Sequence, residues 1–572
     1  MQTIAKEGMP TRVQSLVFEL KAACFRVRRG LGDLRRQPQR FSIGAIDAEL
    51  PVVAESRSLL YASQLGAEFG LQAGKVQNLR IAAQHLNGLT IPAGQVFSFW
   101  RHVPRPTRRR GFVAGRELRE GCVIPNVGGG LCQLSNALYD AALKAGLEIV
   151  ERHGHSRILP GSMASDGRDA TIFWNYVDLR FQAASAIQLE VLLGRGELVV
   201  RFRSRSARPA EPGSATPRTA PPGDAVESCE TCGVTSCFRH PETLDLDRSA
   251  LSAWLVDAYW PEHDRYLRDH RTDRDWLFVP STRGRYAWDC DGFAERREAP
   301  WLVARRSITS RRLAAQGARR QRALLGFDES LAKSYASRIP AAATHLIVSQ
   351  NLLPFLWRDG VLGGRSFDVL MTRLPMSELQ ATLDRAALRW PDSPTLADFR
   401  ADPALLTAEK NALAEARHWI SPHSAIAKLA GDRAIKLDWQ LPEPAATTRT
   451  GNRLLFPATT LGRKGAWELR ELGIPLTIAG PDLEAPDFWN GREIERLPNF
   501  SLDGVRAVVL PAWVENQPRR LLQAIATNIP VIASDACGLA GMPGVTTFDP
   551  GDINALRAAI DAKAAPTNPT PA

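Results

Sequence analysis

A stretch that cannot support a core divides this chain. Residues 204–226, SRSARPAEPGSATPRTAPPGDAV, are rich in Pro, Ala, Ser and Gly and almost free of large apolar side chains. Such a segment buries too little surface to offset the entropy of ordering it, so it reads as a linker. The whole chain has 572 residues, more than one hydrophobic core organises, and several domains are expected on either side. Hydrophobic content of 44% and charged content of 23% suit globular domains. No run of about 18 apolar residues predicts a membrane-spanning helix. The first thirty residues lack the long apolar stretch of a secretory leader, which makes the cytoplasm the expected compartment.

Before the linker, the segment GGGLCQLSNALYDAALKAGLEIVERHGHS (128–156) concentrates chemistry. Three glycines precede Cys132, which opens an apolar helical pattern; a strand-like LEIVE then leads to His153 and His155. A thiol at a helix N-terminus feels the positive end of the helix dipole, which favours thiolate. An imidazole after a strand is a candidate base for it. The alternative is a packing cysteine beside glycines that only permit a tight turn.

The wording of this half resembles the VanW family. The resemblance rests on the GGGLCQLSNALYDAALKAGLEIVERHGHS segment and on NLRIAAQHLNGLTIPAGQVFSFW (78–100), GRDATIF (167–173) and VDLRF (177–181), and covers about residues 46–205. It implies an α+β domain associated with glycopeptide-resistance gene clusters and the cell envelope, without a firmly assigned reaction. The order Cys132, His155, Asp169 also resembles that of transglutaminase-like cysteine enzymes. In that reading Cys132 is the nucleophile, His155 the base and Asp169, before a strand ATIFW, the orienter. N–H groups near Gly130 and Cys132 would form an oxyanion site, and acyl transfer or amide hydrolysis would be the reaction class.

Directly after the linker, CETCGVTSCFRH places Cys229, Cys232, Cys237 and His240 within twelve residues. Three thiolates and an imidazole suit a structural zinc; an iron–sulfur cluster or a loop of free thiols are the other readings. The net charge of +11 lies largely in arginine groups such as RPTRRR (105–110) and RRSITSRR (305–312). Arginine preference alone, an anionic membrane surface or an anionic ligand such as a sugar diphosphate would each account for it. No nucleic-acid motif accompanies the charge. VQSLVFELKAACFRVRRGL (13–31) has apolar residues at helical spacing and a basic end, as in a docking helix or an interfacial one.

The remainder alternates short apolar strands, among them THLIVSQ (344–350), RLLFPA (453–458) and RAVVLPA (506–512), with amphipathic segments such as 402–417 and 517–528. That alternation predicts parallel α/β sheets, two of them at this length, with ligand at the strand C-termini. RLLFPATTLGRKGAWELREL, IPLTIAG and VVLPAWVENQPRRLLQAIATNIPVIASDACGL together resemble the C-terminal half of GT-B glycosyltransferases of the retaining group 1 type. The resemblance implies that Arg463 and Lys464 bind a donor diphosphate and that Glu515 flanks the donor. Gln523 stands where the family carries a second Glu eight residues on, and no Gly-rich loop follows the first strand near 258–266; both depart from the pattern. His423 and Asp257 are unanchored candidates for acceptor-side or donor-side contacts.

The expected architecture is therefore multidomain α/β. A basic helical segment spans 1–45, a VanW-like α+β domain 46–205 and a linker 206–228. Two Rossmann-like parallel-sheet domains of GT-B type then span 229–440 and 441–564, followed by a disordered tail, 565–572. The expected function is transfer of a sugar from a nucleotide-sugar donor to an envelope glycan or lipid-linked precursor, with retention implied by resemblance. The expected site is the inner membrane face. A cysteine-dependent acyltransferase or amidase, or a non-catalytic glycan-binding protein, are the competing readings.

Overall fold

A computed structural model describes residues 12–36, 39–61, 68–119, 122–155, 167–205, 227–228, 249–313, 317–397, 400–444 and 451–564. The chain forms two compact units. The first comprises residues up to Leu251 with 337–345 and 359–366, and the second comprises the rest.

The first unit begins with helix α1 (Arg12–Arg36), followed by β1 (Val52–Leu59), α2 (Phe69–Gln84), β2 (Thr90–Ile91), β3 (Val96–Ser98) and the short α3 (Phe99–His102). Next come β4 (Ala114–Arg119), β5 (Cys122–Val127), α4 (Leu131–Lys144), β6 (Glu148–Glu151), β7 (Arg180–Gln182), β8 (Ile187–Leu193), β9 (Glu197–Arg203) and β10 (Glu227–Ser228). They make three small sheets, ordered β1-β9-β8-β2, β3-β7-β6 and β10-β5-β4. All pairings are antiparallel except β10 on β5. The strands alternate as half-buried sheets require: the burial of β9 reads Leu198, Val200 and Phe202 inward, with Arg201 and Arg203 less buried. Phe97, Phe99, Phe112, Phe181 and Phe202 fill a core shared with Leu134, Leu138 and Ala141 of α4. Burial at α4 positions 134, 138 and 141 is the one-sided spacing of an amphipathic helix.

Two sequence expectations change here. ATIFW is not a strand: after Asp169 the chain runs extended to an isolated bridge, Phe173 with Val177, around a turn in which Asn175 holds a φ of 59°. A tight turn four residues on leaves no room for a ladder. At the other end, Glu227 and Ser228, the last two residues of the expected linker, instead pair with Cys122 and Val123.

Two further sheets of doubly wound order follow, built almost entirely from the second unit. The first contains β11 (Leu251–Leu255), β12 (Trp276–Val279), β13 (Glu295–Glu298), β14 (Ala343–Ser349), β15 (Ser366–Leu370), β16 (Trp419–Ser421) and β17 (Ala434–Lys436). Its order is β13-β12-β11-β14-β15-β16-β17. The second contains β18 (Arg453–Phe456), β19 (Leu476–Ile478), β20 (Ile494–Arg496), β21 (Val505–Leu510), β22 (Val531–Ser534) and β23 (Val545–Phe548), in the order β20-β19-β18-β21-β22-β23. Every pairing in this second sheet is parallel. Both orders follow the doubly wound 3-2-1-4-5-6 pattern, which a seventh strand extends in the first sheet, and in both the strand sequence reverses beside the first strand. The central strands, LLF, AVVL and VIAS, are buried on both faces, as parallel strands covered by helices must be. This is a pair of Rossmann-like sheets, the GT-B layout.

Candidate functional site

In the first unit, Cys132 is the second residue of α4, whose N-cap Gly130 holds a φ of 97°. That left-handed backbone favours glycine, and a Cβ there would lie 2.1 Å from Cγ of Lys75. Gly129 is needed for close approach instead: its Cβ would meet the Gly115 carbonyl at 2.3 Å. Asn78 of α2 fixes the turn, donating through Nδ2 to the carbonyls of Val113 at 3.0 Å and Gly129 at 2.9 Å. The glycines thus aim the start of α4 at a cleft of about 950 Å³ lined by Cys132, His155, Thr171, Lys75 and Arg116. Leu131 and Cys132 open the helix, so their N–H groups have no intrahelical acceptor four residues back.

The extended segment after Asp169 is tied to the same helix face. Ser135 Oγ donates to the Ala170 carbonyl at 2.5 Å, and the Ala170 N–H donates to Asn136 Oδ1 at 2.8 Å. Cys132 Sγ lies 3.8 Å from Thr171 Oγ1. Asp169, 5% exposed in its side chain, grips His155 twice. Its Oδ1 lies 2.5 Å from His155 Nδ1, and its Oδ2 accepts the His155 backbone N–H at 2.5 Å. This pairing turns His155 Nε2 away from the carboxylate. Burial works against a charge on His155, but hydrogen bonding and charge from Asp169 and Cys132 outweigh it and raise its pKa to about 10. The structure therefore brings Cys132 and His155 to one cleft, with Asp169 buried behind His155. His153, by contrast, is half exposed and faces Glu151. Asn136 was missed in the sequence, although its position four residues after Cys132 puts it on the same helix face. Lys75 was also missed; burial, with the nearby Arg116 charge, lowers its pKa to about 7.

Cys229, Cys232, Cys237 and His240 lie outside the described residues. Among the described residues no group of three His, Cys, Asp or Glu side chains could hold a metal ion. Also among them, no helix is long and apolar enough to cross a membrane.

In the second unit, each sheet presents polar groups where its strand order reverses. After β11 and β14, the Asp257 N–H donates to Ser349 Oγ at 3.1 Å and Asn351 Nδ2 donates to Asp257 Oδ2 at 2.8 Å. After β18 and β21, Lys464 Nζ lies 2.8 Å from Glu515 Oε2 and donates to the Val514 carbonyl at 3.2 Å. The backbone N–H groups of Trp513 and Val514 donate to the Arg463 carbonyl at 2.9 and 3.1 Å, so the two loops are stitched together. Arg463 and Gln523 are exposed, Gln523 on the helix Arg519–Ala526. His423, which follows β16, reaches the second sheet: its Nε2 lies 3.3 Å from the Glu515 carbonyl and 3.2 Å from that of Ala536. Its Nδ1 is buried without a hydrogen-bond partner, and burial lowers its pKa.

Residues 74–203 match the family described as VanW like protein. The VanW-like segment is 37% identical over 129 residues to the vancomycin B-type resistance protein VanW of Enterococcus faecalis (strain ATCC 700802 / V583), covering 22% of this chain and 47% of that protein. It is 36% identical over 105 residues to the uncharacterized protein YoaR of Bacillus subtilis (strain 168), covering 18% of this chain and 34% of that one. The chain thus spans less than half the length of either curated relative. Cys132, His155 and Asp169 all fall within the VanW-like segment. Among solved structures, the lipopolysaccharide outer core galactosyltransferase WaaB is similar at a TM-score of 0.31 and 12% identity, over 55% of this chain and 90% of that one. Sucrose-phosphate synthase from Thermosynechococcus elongatus is similar at 0.33 and 14%, over 55% and 89%. The GT-B layout itself rests on the strand orders.

Proposed function

We propose that the second unit transfers a sugar from a nucleotide-sugar donor to a cell-envelope glycan or lipid-linked precursor at the inner membrane face. The observation that carries this is the Lys464–Glu515 pair at the point where the β18–β23 sheet reverses its strand order, with His423 of the preceding sheet against it. Ligands of doubly wound sheets bind in that crevice, outside the strand C-termini. In this reading the Lys464 ammonium, with Arg463 beside it, faces the donor diphosphate. The bond from the sugar's anomeric carbon to the diphosphate breaks, a bond to the acceptor oxygen forms, and the acceptor hydroxyl's proton passes to the departing diphosphate oxygen. Lys464 offsets the charge growing on the leaving diphosphate. Donor binding exchanges the Glu515 carboxylate for phosphate as the partner of Lys464 and frees Glu515 to accept a hydroxyl. Gln523 takes a ribose hydroxyl as a neutral partner. Retention of configuration belongs to this reading.

Calorimetric titration of the full chain with UDP, GDP and their sugar conjugates tests it. One nucleotide should bind in the micromolar range, at least tenfold more weakly in Lys464→Ala. Absence of binding to every nucleotide would overturn the reading.

A specific observation favours a second activity. His155 is locked by Asp169 and shares a cleft with Cys132, which supports thiol-dependent acyl transfer or amide hydrolysis in the VanW-like segment. In that reaction His155 takes the Cys132 proton, Sγ attacks the acyl carbon and the helix N–H groups receive the oxyanion; its collapse breaks the bond to the leaving group, which His155 protonates, and water or an acceptor nucleophile then displaces Sγ from the thioester. Selective alkylation of Cys132 by iodoacetamide, slowed at least tenfold in Asp169→Asn, is the expected result; equal rates in the two proteins would remove this reading.

A further inference from the structure

Helix α1 is docked on one side and bare on the other. On its inner side Ala22 is 1% exposed, Phe18 meets Phe173 edge-on and Phe25 stacks on Tyr176. Arg29 holds Glu151 through two hydrogen bonds, and Asp33 pairs with Arg180 at 3.0 Å. Phe18, Glu19 and Arg26 belong to the wall of the Cys132 cleft. At 3.6 residues per turn, Val13, Leu16, Val17, Leu20, Val27, Leu31 and Leu34 fall on the opposite side, within an arc of roughly 100°. All are between 42% and 72% exposed.

Single exposed leucines are ordinary, but a continuous stripe of this length marks a surface that something covers. The charges beside it identify the kind of partner. Arg12, Lys21 and Arg28 are exposed on the margins of the stripe. Both acids of the helix are engaged by arginines: Glu19 lies 3.4 Å from Arg119, and Asp33 is turned inward to Arg180. Among the described residues, the stripe is thus bordered by cations that no carboxylate pairs with. A second copy laid along it would bring like charges together, whereas an anionic lipid surface would complement them.

We propose that α1 is an interfacial helix that seats its outer stripe in an anionic bilayer surface while its inner side walls the Cys132 cleft. The proposal stands independently of sugar transfer. The test is co-sedimentation of the full chain with vesicles of phosphatidylcholine alone or with about 30% phosphatidylglycerol, at low salt and at about 0.5 M salt. Binding is expected only to the anionic vesicles, weaker at high salt. The triple variant Leu16→Glu, Leu20→Glu, Val27→Glu should bind at least tenfold more weakly, with circular dichroism and thermal unfolding showing an intact fold. Should that variant fail to fold, Lys21→Glu with Arg28→Glu leaves the apolar stripe in place and should weaken binding by the same order. No binding, equal binding to neutral vesicles, or stripe-dependent dimers in sedimentation velocity would each overturn the proposal.

Discussion

Replacing Asp169 by Asn removes the charge that holds His155 and leaves a side chain of the same size. His155 has its pKa raised from 6.5 to about 10, and its side chain is only 16% exposed, so solvent screening is modest. Each unit corresponds to about 1.4 kcal/mol, and the whole shift to roughly 5 kcal/mol. Asp169 shares that stabilisation with Cys132, and removing the carboxylate alone should take away about half, ~2–3 kcal/mol. In a unit of this size that lowers Tm by roughly 5–10 °C. The sign follows from linkage. The folded state binds the His155 proton more tightly than the unfolded state does. The stabilisation is complete below about pH 6.5 and disappears as pH rises through about 10. Thermal unfolding of wild type and Asp169→Asn followed by circular dichroism across that range should show the Tm gap widest near pH 6 and closing toward pH 10. A gap that is constant with pH, or that widens as pH rises, would falsify the charge argument and leave Asp169 as a packing residue.

Three other expectations follow from the same structure. Cys132→Ala should bring the His155 pKa down from about 10, measured by NMR titration of the imidazole, because the neighbouring sulfur is one of the groups raising it. Gly130→Ala should destabilise the first unit by about 2–3 kcal/mol in urea denaturation; adding Lys75→Ala should recover only the part due to the clash, since the positive φ remains. Arg519→Ala should cost the second unit about 3 kcal/mol or more. It strands the fully buried Glu262 carboxylate, which Arg519 grips at 2.6 and 2.7 Å while lying over Trp260 and Trp439; a loss under about 0.5 kcal/mol would show the pair to be dispensable.

What could be read from the sequence was what lies in local periodicity. RLLF, RAVVL and PVIAS are short apolar runs between helical patterns, and each is a buried parallel strand. Glu295–Glu298, by contrast, reads ERRE; it is an edge strand on β12, where backbone pairing suffices and the side chains stay polar, so no hydrophobic pattern announces it. The grouping of Cys132, His155 and Asp169 was legible as order along the chain. The means that bring them together were not, because they depend on Asn136 and Ser135 holding a non-strand segment through backbone groups. His423 was visible as a residue without a motif. Its contact with the Glu515 carbonyl joins residues 92 positions apart, which no spacing rule reaches. The same holds for α1. Helical spacing marked it as amphipathic, but only packing against Phe173 and Tyr176 distinguishes its docked side from its bare one.

The two doubly wound sheets are completed one after the other, β11 to β17 and then β18 to β23, and the final helix Ile553–Ala564 packs against β22 and β23. The polypeptide therefore passes from one sheet to the other once, between Lys436 and Arg453. With one covalent connection, the two sheets are otherwise joined by non-covalent contacts, among them Arg519 on Glu262, His423 on the Glu515 carbonyl, Trp390 on Glu468 and Trp439 on the Gly538 carbonyl. Severing the chain at that crossing would break no strand pairing in either sheet, so two co-expressed fragments split there would have to reassemble through such contacts.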